Sequence, residues 1–146
     1  MTQQQHALPK EQDIQAAERI YHEWDAALGA KDVEAAVALY APDCRLESPL
    51  VLHLLKSEDG VVVGREKLRD FLKMVFDRTP SVRERYREGF FTDGRKLMWE
   101  YPREKPDGEQ MEFAEVMELA DGLISRHRVY WGWFGVKVLE QDRYHR

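Results

Sequence analysis

The sequence predicts an α+β fold: one curved antiparallel sheet with three helices from the N-terminal half gathered over one of its faces. Two observations carry this. Apolar residues recur at spacings of three and four in the first half of the chain and alternate in the second half. Short turn signals punctuate the alternating half, as a meander of strands requires. The 146 residues suit one domain. Residues 1–8 are polar and read as a flexible N-terminus, which leaves 9–146 as a single domain.

The elements follow in order. Pro9 suits a first helical turn. Ile14, Ala17, Tyr21, Trp24 and Leu28 then mark one face of a long amphipathic helix, and Gly29 is a stop signal. Asp32 can cap a second helix over 33–40, which Pro42 blocks from continuing. From Cys44 to Leu52 the period changes. Leu46, Ser48 and Leu50 alternate with Arg45, Glu47 and Pro49, which reads as a strand with Ser48 on its mostly apolar face. Residues 57–60 read as a loop. A third helix follows Gly64, with Leu68, Phe71, Leu72 and Val75 on one stripe, and Pro80 ends it. The remainder reads as strands over 82–91, 96–101, 111–119 and 124–138. Thr92-Asp93-Gly94, Pro106-Asp107-Gly108 and Asp121-Gly122 are the turns between them.

The last hairpin carries the chemistry. With Ala120-Asp121-Gly122 as a three-residue loop, Leu119 faces Leu123, Met117 faces Ser125 and Glu115 faces His127. One sheet face then holds Phe113, Glu115, Met117, Leu119, Leu123, Ser125, His127, Val129 and Trp131. The other holds Ile124 with Arg126, Arg128 and Glu118. Glu115 and His127 are the only titratable groups on the first, apolar face. A carboxylate and an imidazole there are expensive unless paired. Burial and mutual attraction pull on their proton affinities in opposite directions, which suits general acid–base work near neutral pH. Two other readings stay open at this point: a buried structural ion pair, or a two-residue loop that turns Glu115 toward solvent. Tyr21, Trp24, Trp99, Tyr101, Trp131 and Trp133 can line a hydrophobic pocket or form ordinary core. His53 can close the mouth of such a pocket or lie at the surface. Arg83, Arg85 and Arg87 alternate along a strand, as on a solvated face or a subunit contact.

Composition narrows the function classes. Hydrophobic residues make up 43% and charged residues 34%, which marks a soluble globular chain. The 22 Lys+Arg against 27 Asp+Glu give a formal charge of -5, which repels nucleic acid and anionic membranes. The one cysteine, Cys44, leaves no partner for an internal disulfide. The N-terminal residues lack a secretory pattern, and no apolar run reaches the ~18 residues of a membrane helix. The expected location is therefore cytoplasmic. No HExxH, CxxC, GxGxxG, GxxxxGK[ST] or GxSxG occurs, so neither a metal, a nucleotide cofactor nor a serine nucleophile is expected.

Several stretches together resemble the nuclear transport factor 2-like superfamily, in its SnoaL-like and ketosteroid-isomerase-like branch. They are Trp24-Asp25-Ala26-Ala27-Leu28-Gly29-Ala30-Lys31-Asp32, Leu39-Tyr40-Ala41-Pro42-Asp43, Glu47-Ser48-Pro49, Gly64-Arg65-Glu66 and the hairpin from Phe113 to Gly132. The resemblance implies a cone-shaped fold with a deep apolar pocket between helices and sheet, and a homodimer joined through the outer sheet face. It places Trp24 where a steroid isomerase has its oxyanion-binding tyrosine, and Ser48 where it has its carboxylate base. Glu115 stands for its second acid. The polyketide cyclases and dehydratases of the superfamily use an aspartate and a histidine in the pocket, and Glu115 with His127 is similar to such a pair. The expectation is thus a pocket for a small apolar, carbonyl-bearing molecule, working by proton transfer without cofactor or metal. Glu115 is the candidate base, and His127 its partner or the general acid. Trp24 and Ser48 are candidate hydrogen-bond donors to the substrate, and Tyr21, Trp99, Tyr101 and Trp131 candidate walls. A non-catalytic ligand-binding or dimerisation domain is the competing expectation.

Overall fold

The computed structural model describes residues 10–78, 87–102 and 112–141. The expected turn at 106–108, and the first half of the expected strand over 82–91, with Arg83 and Arg85, lie outside them, as does the N-terminal segment.

Helix α1 spans Glu11–Ala30 and buries Ala17, Ile20, Tyr21, Trp24, Ala27 and Leu28 along the expected stripe. Lys31, in the left-handed conformation at φ 55°, ends it, two residues beyond the expected stop. Asp32 caps α2 (Val33–Val37) by accepting from the Ala35 amide at 3.0 Å. This helix is three residues shorter than expected, because strand β1 (Tyr40–Glu47) begins at Tyr40. Pairing with a neighbouring strand overrides local helical pattern there, and the Ile124 amide already bonds the Leu39 carbonyl at 2.8 Å. Pro42 sits inside β1 where its register against the next strand shifts, between Tyr40 and Arg45, a place where a missing amide is tolerated.

The strand expected over 44–52 is divided. Its second half is helix α3 (Pro49–Leu55), which buries Leu50, Val51 and Leu54. Ser48 is its N-cap, accepting from the Leu50 amide at 3.2 Å, and Pro49 occupies the first turn. Alternation of Leu46, Ser48 and Leu50 mimicked a strand, while the Ser-Pro pair carried the helix start. Strand β2 (Val61–Val63) follows, then α4 (Arg65–Arg78) with Leu68, Phe71, Leu72 and Phe76 buried. Strands β3 (Glu88–Thr92), β4 (Lys96–Tyr101), β5 (Phe113–Ala120) and β6 (Leu123–Trp131) form the expected meander. The last strand ends seven residues earlier than expected. Gly132 turns the chain into helix α5 (Trp133–Glu140), and a Cβ on Gly132 would collide with the Glu112 side chain.

The sheet is curved and unclosed, in the order β2-β1-β6-β5-β4-β3. It is mixed and not purely antiparallel as expected, because β1 and β6 run parallel while every other pair is antiparallel. The chain leaves β1, makes α3, β2, α4 and the meander, and returns with β6 in the gap beside β1. Helices α1 and α4 lie against opposite halves of the same face, α1 on β3 and β4, α4 on β1 and β2. Leu97, Met117 and Ile124 from the sheet are fully buried beneath them. No helix among the described residues is long and apolar enough to cross a membrane.

The β5–β6 hairpin corrects the expected register. Its turn has two residues, Asp121 and Gly122 at φ 53° and 74°, with Ala120 opposite Leu123. Such a turn alone would send Glu115 outward, since one step of slip exchanges the two faces of a strand. Ser125 prevents this. It is an extra residue, a bulge between the Leu119–Ile124 and Glu118–Arg126 pairs, and its hydroxyl donates to the Glu118 carbonyl at 2.9 Å. Turn and bulge together move the register by two, so beyond the bulge Glu115, Met117, His127 and Val129 share the core face as expected. On the turn side of the bulge parity is reversed, and Ile124, expected outside, is buried.

Two measurements check this construction. Ile124→Ala is expected to cost about 2–4 kcal/mol in urea unfolding, as for a core truncation, whereas an outward isoleucine would cost under about 0.5 kcal/mol. Ser48→Ala is expected to cost about 1 kcal/mol and Ser48→Gly only a few tenths, the signature of a lost cap; equal losses would contradict it.

Candidate active site

Four elements bring their polar residues to one point on the concave face: Trp24 from the middle of α1, Tyr40 from the start of β1, His127 from β6 and Glu115 from β5. They form a single hydrogen-bonded chain. Trp24 Nε1 donates to the Tyr40 hydroxyl at 3.2 Å. That hydroxyl lies 2.7 Å from His127 Nδ1, and His127 Nε2 lies 2.9 Å from Glu115 Oε1. All four side chains are buried. His127 pairs directly with Met117 and Glu115 with Val129, so acid and imidazole meet along the diagonal of the ribbon, within side-chain reach, and not face to face. Burial pushes the Tyr40 phenol far above its ordinary range, so it stays an O–H group.

Glu115 and His127 line a cavity of about 70 Å³ between the sheet, α1, α3 and α4. Its walls are mostly apolar: Leu28, Leu46, Phe71, Leu72 and Phe76 are buried around it. The half-buried Val75, Phe113, Val129 and Trp131 also line it. The volume takes several waters. It is well below the roughly 300 Å³ at which drug-sized pockets begin, so a ligand of many atoms needs Phe71, Phe76 or Trp131 to turn aside. Glu115 Oε2, the oxygen that His127 does not engage, is buried without a hydrogen-bond partner.

Of the residues expected at the site, Trp24, Ser48, Tyr101, Glu115, His127 and Trp131 line the cavity. Tyr21 and Trp99 do not. They pack behind it, with ring centroids 5.4 Å apart, and Phe90 lies 4.7 Å from Tyr21. The Arg87 guanidinium covers the Tyr21 ring at 3.8 Å and reaches Asp25 at 3.3 Å, so this arginine closes the core instead of standing on a solvated face. Trp133, also grouped with the pocket aromatics, is 69% exposed on α5. His53 lies on α3 outside the cavity lining. Tyr101 stacks on Phe113 at 4.1 Å and forms a flat wall.

Two roles change with these positions. The Trp24 indole N–H is its only polar group and is spent on Tyr40, so it is not available to a ligand oxygen. Both nitrogens of His127 are engaged inside the protein, which suits an orienting group and leaves none facing the cavity. Ser48 uses a lone pair for its cap and keeps a hydroxyl hydrogen to offer. Tyr40 was not among the expected site residues. Its position at the end of an apparent helix hid it, although it lies in one of the stretches that carry the family resemblance. Among the described residues no group of three or more His, Cys, Asp or Glu could hold a metal ion.

A family model for the SnoaL-like domain matches residues 13–127. No curated protein sequence matches the chain. Among solved structures, a SnoaL-like protein of unknown function from Burkholderia thailandensis superposes with a TM-score of 0.68 at 16% identity, covering 82% of this chain and 97% of that one. An NTF2-like protein from Anabaena variabilis gives 0.66 at 13% identity, covering 88% and 96%. A candidate ketosteroid isomerase from Kribbella flavida gives 0.58 at 20% identity, covering 82% and 79%. At these identities the structures share a fold, and function must be read from this chain's own residues. The matched family model spans both halves of the cavity, from α1 to His127, and the chain belongs to the SnoaL-like family, within the NTF2-like superfamily.

Proposed function

We propose that this protein binds a small, largely apolar, carbonyl-bearing molecule and moves a proton on it, with Glu115 as the base. The observation that carries the reading is the asymmetry of one carboxylate. Oε1 is held by His127 at 2.9 Å, while Oε2 is buried with no partner on a residue that lines the cavity. An unpaired buried carboxylate oxygen is costly, and a ligand that presents a proton to it relieves the cost.

The chemistry follows from the lining. Oε2 takes a proton from the carbon next to the ligand's carbonyl, and the C–H electron pair moves into an enolate. The Ser48 hydroxyl donates to the enolate oxygen. Returned from Glu115 to another carbon, the proton gives isomerisation; replaced by one from solvent and returned to the same carbon, it gives exchange; and where the next carbon bears a leaving group, the enolate expels that group, which departs with the Glu115 proton, giving elimination. His127 orients the carboxylate, and Tyr101 and Trp131 shape the cavity. A positioned base of this kind contributes roughly 10²–10⁴-fold.

A second reading has its own support. The cavity is small and the Trp24 donor is turned inward, which suits a ligand carrier without turnover. One experiment separates them. In D₂O, the protein is expected to speed deuterium incorporation beside the carbonyl of small apolar ketones such as cyclohexanone, read by NMR. Glu115→Gln is expected to lower that rate at least ~100-fold with little change in melting temperature. Binding of ketone with exchange no faster than in buffer would leave the carrier reading, and equal rates in the variant would remove Glu115 from the chemistry.

A further inference from the structure

We infer that Tyr40 is a positioning residue: together with Trp24 it holds His127 as a neutral imidazole carrying its single proton on Nε2. The purpose assigned to that state rests on the reading of Glu115 as the base, but the state itself follows from donors and acceptors alone. An indole has one polar group and can only donate. Trp24 Nε1 lies 3.2 Å from the Tyr40 oxygen, so that oxygen is an acceptor toward α1. The phenol has one hydrogen to place, and His127 Nδ1 stands 2.7 Å away. Were Nδ1 protonated, two N–H groups would converge on the same oxygen, and neither of the hydroxyl's two partners would be left to accept the phenolic hydrogen. A buried donor without an acceptor is the arrangement that folded proteins avoid. The hydrogen therefore goes to Nδ1, which must be bare, and the ring's proton lies on Nε2, facing Glu115 Oε1.

The backbone around Tyr40 is built to hold this direction. The Tyr40 carbonyl accepts from Nε of Arg65, at the start of α4, at 2.8 Å and from its Nη2 as well. The strand pair that carries Tyr40 and His127 is irregular between Tyr40 and Arg45. That shift frees Tyr40 from strict alternation at the point where its hydroxyl meets the ring. With Tyr40 donating, the imidazole has no vacant nitrogen. It can orient Oε1 but has no free site for a proton arriving at Oε2, which leaves the carboxyl group only to the ligand or to solvent.

The test is the protonation state of the two ring nitrogens in ¹⁵N-histidine-labelled protein at neutral pH, read by two-bond ¹H–¹⁵N correlation. Signals absent from His127→Gln identify those of His127. The expected result is a protonated Nε2 and a bare, hydrogen-bonded Nδ1. A protonated Nδ1 would overturn the inference. In Tyr40→Phe the Nδ1 resonance is expected to move, because its donor is gone. If that variant does not fold, Trp24→Phe serves: without the indole N–H polarising the phenol, its hydrogen bond to Nδ1 weakens, and the Nδ1 resonance is expected to move while Nε2 stays protonated. Ring signals unchanged from wild type in a folded variant would also overturn it. The expected ring state with no ketone exchange would discard the proton-transfer reading alone. Ketone exchange with a protonated Nδ1 would discard this inference alone.

Discussion

The rest of the site depends on one constraint: four polar side chains are buried together and must satisfy one another. Trp24, Tyr40, His127 and Glu115 come from a helix and three strands, and each hydrogen bond joins two different elements. In an interior of low dielectric, such a chain is worth having only when each link is made, since one broken link strands its neighbours. This fixes α1 against β1, β1 against β6 and β6 against β5 more specifically than the surrounding leucines could. Non-directional packing sets how much apolar area is buried, while the hydrogen-bond chain sets which way the elements are turned. The one partnerless end of the chain, Glu115 Oε2, lies on a residue of the cavity wall.

A local irregularity makes the chain possible. The two-residue turn at Asp121-Gly122 would by itself leave Glu115 on the outer face, and the bulge at Ser125 returns it to the inner one. A second irregularity between Tyr40 and Arg45 lets the start of β1 approach β6 as its parallel neighbour. Bulges next to functional groups commonly re-aim a side chain in this way.

Much of this was legible in the sequence, for reasons that differ by element. The stripe from Ala17 to Leu28 and that of α4 follow from the helical period, and Asp32 announced its own cap. The pairing of β4 with β5 followed from alternation. Glu115 and His127 stood out as the only titratable groups on an apolar strand face. Their side-by-side placement came out on the right face through a different register, because a three-residue loop and a two-residue turn with one bulge have the same parity. That agreement did not extend to Ile124, which the bulge turns inward. What stayed hidden depends on contacts distant in sequence. Helix α3 is too short for its period to outweigh the alternation of Leu46, Ser48 and Leu50. The parallel β1–β6 pair joins residues some eighty positions apart. Tyr40 belongs to a strand only because β6 is there to receive it. The packing of Tyr21 and Trp99 behind the cavity lining was hidden for the same reason: their spacing shows that they are buried, while Arg87 and Phe90 decide against what.

The central claim is that an apolar cavity presents a carboxylate oriented by its own histidine, with one oxygen free for a ligand. A high-resolution crystal structure of the protein soaked with cyclohexanone tests it most directly. The ketone oxygen is expected on Ser48 Oγ, the adjacent carbon within about 3–3.5 Å of Glu115 Oε2, and Oε1 still on His127. Glu115 and His127 on opposite faces of the β5–β6 ribbon, or a cavity filled by the Trp131 side chain with no ketone bound, would contradict it.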